Sequence, residues 1–117
     1  MTRQELIEFG LTIPGAAADA PFDDESVVLR CLANRKWFAL LLRVQGECCV
    51  NLKCDPMRAD FYRRLYRDVT PGWHMNKTHW NTVRLGGDVP DEELQNMLLH
   101  SYDLVRPHGT KRAAPDR

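Results

Sequence analysis

The chain has 117 residues, 44% of them hydrophobic and 27% charged, the values of one ordinary globular domain rather than of a disordered chain. Its sixteen basic and sixteen acidic side chains cancel to a formal net charge of zero, which argues against a uniformly basic nucleic-acid binder. No apolar run approaches the roughly 20 residues of a membrane span. Met1-Thr2-Arg3-Gln4-Glu5 also lacks the apolar core of a signal peptide, so the cytoplasm is the expected location.

The zero net charge hides an uneven distribution. Residues 1–26 hold one basic and six acidic side chains, and residues 85–104 hold none and five. Residues 27–52 hold four and one, residues 53–84 seven and three, and the tail 105–117 four and one. A basic middle between acidic flanks predicts a two-faced molecule, although charges that merely solvate each helix leave the same tally. The four cysteines, Cys31, Cys48, Cys49 and Cys54, contain no C-x-x-C spacing. Buried free thiols are expected there rather than zinc ligands, a redox pair or disulfides in a reducing compartment.

In chain order, Thr2 with Glu5 reads as a capping box, and Leu6, Ile7, Phe9, Gly10 and Ile13 give a helical apolar stripe that Pro14-Gly15 ends. Ala16 to Glu25 reads as irregular. Its closing run Asp23-Asp24-Glu25 can hold a hard cation, although such runs are more often simply solvated. A meander follows: Val27–Ala33, the apolar run Trp37–Val44 and the alternating Glu47–Lys53, joined by Asn34-Arg35-Lys36 and Gln45-Gly46. Trp37–Leu42 is apolar on both faces and belongs in the middle of a sheet. Asp55-Pro56 opens a second helix, with Met57, Phe61 and Leu65 as its expected buried stripe.

Pro71-Gly72 is a turn, and Trp80–Leu85 alternates as a half-buried strand. Gly86-Gly87 turns the chain. Pro90-Asp91-Glu92-Glu93 opens a third helix, acidic where the dipole favours it, with Leu94, Met97, Leu98, Ser101, Tyr102 and Val105 facing inward. The order is helix, three strands, helix, one or two strands, helix: an α+β fold with a single antiparallel sheet and helices packed on one face. Residues 1–106 form the domain, and residues 107–117 read as a flexible basic tail.

The stretch His74-Met75-Asn76-Lys77-Thr78-His79-Trp80-Asn81 is too polar for a core and too aromatic for an ordinary loop. Phosphate binding requires cations on one face with rings to stack. Lys53, Lys77 and Arg84, with His74, Asn76, His79, Trp80 and the hairpin residues Arg35 and Lys36, supply that set. Two other uses compete: Trp80 and Met75 as core side chains, and Asn76 and Asn81 as groups that bond their own turn backbone. His74 and His79 have opposite strand parity and do not converge on one metal. Neither has the orienting carboxylate and nucleophile of a catalytic set.

Val50-Asn51-Leu52-Lys53-Cys54-Asp55-Pro56, the run Pro71–Val83 with its HMNK-x-HWN core, Pro90-Asp91-Glu92-Glu93-Leu94 and His100–Val105 together resemble the MmcQ/YjbR family of small bacterial proteins. Trp73 stands where that family usually has tyrosine. The resemblance implies a frataxin-like (CyaY-like) fold and a DNA-binding protein with a double-wing arrangement. The expectation is therefore a non-enzymatic monomer that needs no cofactor, metal or membrane and meets DNA or another acidic partner through its basic middle. The alternative is a protein-interaction module using the acidic first helix and Asp23-Asp24-Glu25. An enzyme built on His74 or His79 is a third, weaker reading.

Overall fold

The computed structural model describes residues 1–20 and 25–107. Helix α1 (Arg3–Leu11) carries the expected capping box: the Thr2 hydroxyl accepts from the Glu5 N–H, and the Glu5 carboxylate accepts from the Thr2 N–H. Strands β1 (Ala16–Asp19), β2 (Val27–Cys31), β3 (Trp37–Val44) and β4 (Glu47–Lys53) come next. Helix α2 (Pro56–Leu65), strands β5 (Val69–Pro71) and β6 (Trp80–Arg84) and helix α3 (Asp91–Val105) complete the chain. The six strands form one antiparallel sheet in the order β1-β2-β3-β4-β6-β5, with the apolar β3 in its interior as its composition requires. Gln45 and Gly46, both at positive φ, close the β3–β4 hairpin as a two-residue turn of this kind demands.

One face of the sheet carries the helices. Leu29, Ala39, Leu41, Val50, Leu52 and Val83 meet Leu6 of α1 and Leu94, Met97, Leu98 and Val105 of α3 in a single buried cluster. All six residues of the α3 stripe read from the sequence are buried. Ser101 locks α3 to the strands, its hydroxyl donating to the Phe38 carbonyl and accepting from the Lys53 N–H. Gly10 lets α1 approach closely, since a Cβ there would lie 2.5 Å from a Leu29 methyl group.

Two expectations are corrected. Ala16–Asp19, read as irregular, is an edge strand paired with β2. Alanine is a poor strand former, so pairing rather than propensity places it there. Met57, Phe61 and Leu65 are 83%, 57% and 53% exposed, not buried. α2 carries a second stripe, Ala59 and Tyr62, continued by Tyr66 at its C-cap, and this is the one that faces the strands: Ala59 is buried and both tyrosines pack on the core, their rings 6.4 Å apart. Turning α2 this way also aims Arg63 at the sheet, where it finds three acceptors.

Candidate nucleic-acid interface

The face of the sheet away from the helices carries a cross-strand row: Val28, Leu40, Asn51, Thr82 and Thr70. Asn51 and Thr82 are buried. A buried amide and hydroxyl are costly unless bonded, and here both are. The Thr82 hydroxyl donates to Asn51 Oδ1 and accepts from the Trp73 N–H at 2.8 Å, while Asn51 Nδ2 donates to the Trp73 carbonyl at 2.9 Å. The backbone of Trp73 is thereby clamped across the sheet.

The rest of the segment Gly72–His79 is tied as firmly. Asn76 Oδ1 accepts from the Thr78 and His79 N–H groups, and Lys77 Nζ donates to the Gly72 carbonyl at 2.9 Å. Arg63 donates from Nε to Asn81 Oδ1 at 2.6 Å and through Nη2 to the carbonyls of Lys77 and Trp80. Asn81 Nδ2 in turn reaches the Ala59 carbonyl. Gly72 is required by close approach, because a Cβ there would lie 2.7 Å from Trp80 Cβ. Much of the polar character of the stretch is spent on holding its own loop, the use that competed with binding for Asn76, whereas Asn81 ties β6 to α2 instead of bonding its own turn.

The loop sits at one end of the sheet. The β2–β3 turn with Arg35 and Lys36, the end of β4 with Lys53, the start of β6 with Trp80 and the start of α2 with Arg58 share that end, by strand register. The α3 C-terminus joins them, its Val105 carbonyl accepting from Asn34 Nδ2 at 2.6 Å. Of the nine residues singled out from the sequence, eight gather here. Arg35, Lys36, His74, Asn76, Lys77 and His79 are exposed, and Lys53 and Trp80 are half-buried. Arg84 does not join them. It lies four residues along β6 from Trp80, about 13 Å at strand rise, and pairs with Asp68 and Glu47. Those bonds hold the Asp68 carboxyl below its usual range.

Pairing sorts the charges. Among the described residues, Arg35, Lys36, Lys53, Arg58, Arg63 and Lys77 have no carboxylate within salt-bridge distance, whereas Arg30, Arg64, Arg67 and Arg106 each have one and Arg84 has two; Arg3 and Arg43 also lack one and donate to the Glu25 and Gly46 carbonyls. The acidic groups Asp68, Asp88, Asp91, Glu92 and Glu93 lie toward the opposite end, where α3 begins. Asp55 and Asp103 lie at the basic end: Asp55 caps α2 by accepting from the Met57 N–H, and Asp103 pairs with Arg106. Sequence reasoning missed Arg58 and Arg63, hidden among the arginines of α2. It also missed Trp73, which is 40% exposed while Trp37 and Trp80 are half-buried.

Among the described residues no three His, Cys, Asp or Glu side chains gather as metal ligands. Cys31, Cys49 and Cys54 are buried free thiols, and burial pushes Cys54 up to about 11. The cleft between α2 and α3, lined by Leu52, Cys54, Tyr62, Val83 and Met97, has a volume of about 10 Å³, room for one water at most. Asp23 and Asp24 of the acidic loop, and residues 108–117 of the tail, lie outside the described residues. No helix among the described residues is long and apolar enough to cross a membrane.

Comparison with known proteins places this architecture. The YjbR family model matches residues 11–104. YjbR of Escherichia coli strain K12, an uncharacterised protein, is 32% identical over 102 residues, covering 87% of this chain and 85% of its own. YyaQ of Bacillus subtilis strain 168, likewise uncharacterised, is 29% identical over 118 residues, covering 91% and 99%. The crystal structure of Deinococcus radiodurans DR2400, a DUF419-domain protein, superposes with a TM-score of 0.81 at 35% identity, covering 94% of this chain and 82% of that one. A Pseudomonas syringae crystal structure gives the same TM-score at 29% identity, covering 91% of this chain and 100% of that one. The family model spans both the sheet and the clamped loop, and the chain belongs to the YjbR family.

Proposed function

We propose that this chain is a non-enzymatic nucleic-acid-binding protein whose contact surface is the basic end of the sheet. The observation that carries the reading is the sorting of charge: among the described residues, six cations with no carboxylate within salt-bridge distance share one end, while Arg30, Arg64, Arg67, Arg84 and Arg106 are paired and Arg3 and Arg43, the exceptions, donate to backbone carbonyls. A chain of zero net charge binds phosphate only through such local concentration, because it has no long-range field to draw on. Affinity should then be modest and strongly salt-dependent, with Kd of about 10⁻⁴–10⁻⁶ M.

Fluorescence anisotropy with labelled oligonucleotides at two salt concentrations tests it. Lys36→Ala and Lys53→Ala should each weaken binding for unrelated sequences alike and lower the salt slope by about one. Arg84→Ala, whose charge is already matched, should leave the slope unchanged. Absence of binding at about 100 μM protein in low salt, for duplex and single strand alike, refutes the reading.

A further inference from the structure

Trp73 combines a clamped backbone with an exposed side chain. Its backbone is held at both its N–H and its C=O by two buried polar side chains, yet the residue is left 40% exposed. The next residue, His74, sits at φ +58, a conformation that non-glycine residues adopt at a cost. Its ring meets the indole edge-on, with centroids 4.9 Å apart. Lys77 places its ammonium 2.9 Å from the Gly72 carbonyl, in the peptide unit that leads into Trp73. A braced, half-exposed indole with a cation beside it is the arrangement that stacks a base and neutralises its flanking phosphate. In a duplex the base faces are hidden in their own stack, so only an unpaired base presents one to an indole.

We infer, on the nucleic-acid reading above, that the site takes single-stranded nucleic acid in preference to duplex, with Trp73 as its stacking platform. Phosphates engage Lys77 and the cations at the same end of the sheet, and the clamp of Asn51 and Thr82 supplies preorganisation. Stacking is tolerant of sequence, so the preference is for strandedness rather than for a motif.

The test uses the full chain with three fluorescein-labelled probes of equal length: oligothymidylate, a duplex, and an oligomer of abasic sites that keeps the phosphates and removes the bases. Oligothymidylate should bind more tightly than the duplex. Trp73→Ala should weaken oligothymidylate binding about 5- to 150-fold, Trp73→Phe should weaken it less, and neither should alter abasic binding. Trp73→Leu, which keeps bulk without a π face, should behave like Trp73→Ala and covers the case in which alanine loosens the loop. Equal affinity for duplex and single strand overturns the inference while leaving nucleic-acid binding intact. So does a Trp73→Leu protein that binds oligothymidylate normally while Lys36→Ala weakens it. Failure of all three probes to bind the wild-type chain is a separate result, which removes the nucleic-acid reading and this inference with it.

Discussion

Asn51→Ala is the most searching perturbation of the structure. The side chain is completely buried, donates to the Trp73 carbonyl at 2.9 Å and accepts from the Thr82 hydroxyl. Two net hydrogen bonds are worth roughly 1–3 kcal/mol, and a hydroxyl left dry adds about 1 kcal/mol or more. The Trp73 carbonyl can recover water if the loop lifts, so that part of the loss is capped by the free energy of local opening. The Thr82 hydroxyl, beneath the loop, has no such exit while the loop stays closed. Chemical denaturation should therefore show a loss of about 2–4 kcal/mol. Amide exchange of Trp73, Thr78 and His79 should accelerate more than that of the β3 and β4 amides. Because Asn51, Thr82 and Trp73 form one network, Thr82→Val combined with Asn51→Ala should cost less than the two single changes added together. A loss below about half a kcal/mol with unchanged loop exchange, or strict additivity of the pair, would refute the clamp.

Leu98→Ala should cost about 2–5 kcal/mol, since the side chain is fully buried, whereas Phe61→Ala on the exposed face of α2 should stay within about half a kcal/mol; denaturation midpoints distinguish the two. Burial first and Arg58 second hold His100 below the ordinary imidazole pKa, so the unfolded chain protonates before the native one. Stability should be full above about pH 7 and decline as pH falls through about 6.5. His100→Gln, which keeps an acceptor for the Asp55 N–H now bonded to Nε2, should flatten that decline in pH-dependent melts. A chelator should leave the melting temperature of tag-free protein unchanged, and stoichiometric zinc or iron in that protein would contradict the expectation of no metal.

The parts of this fold that can be read from the chain are those where one signal dominates. α3 shows a single apolar stripe and an acidic first turn, and every residue of that stripe is buried. β3 is apolar on both faces and has nowhere to go but the interior. α2 carries two stripes at helical spacing, Met57-Phe61-Leu65 and Ala59-Tyr62, the second continued by Tyr66 at the C-cap. Hydrophobicity favours the first, but Arg63, Asn81 and three backbone carbonyls decide for the second. Such a polar tie spans 18 residues of sequence and leaves no periodic trace. β1 is invisible for a related reason, its alanines being strand only because Val28–Cys31 lie beside them. In the loop, the residue types were legible but their division of labour was not. Asn76 bonds its own turn backbone, one of the two uses its residue type allowed, whereas Asn81 reaches across to the Ala59 carbonyl of α2, and Trp73 stays 40% exposed above its clamped backbone.

The separation of charge follows from the polarity of α3. Asp91, Glu92 and Glu93 are stabilised by the helix N-terminus, which fixes acidity at whichever end of the sheet α3 begins. The bonds from Ser101 to Phe38 and Lys53 fix that end, by holding the last turns of α3 against the start of β3 and the close of β4. The acidic turn must therefore lie opposite Lys53. The antiparallel register then brings Trp80 beside Lys53, and with it the Gly72–His79 loop and the β2–β3 turn. A basic middle and acidic flanks in the sequence thus become a basic and an acidic end, not two faces of the sheet. Arg84 shows the rule from the other side. As the last residue of β6 it falls toward the acidic end, and there it is neutralised by Asp68 and Glu47.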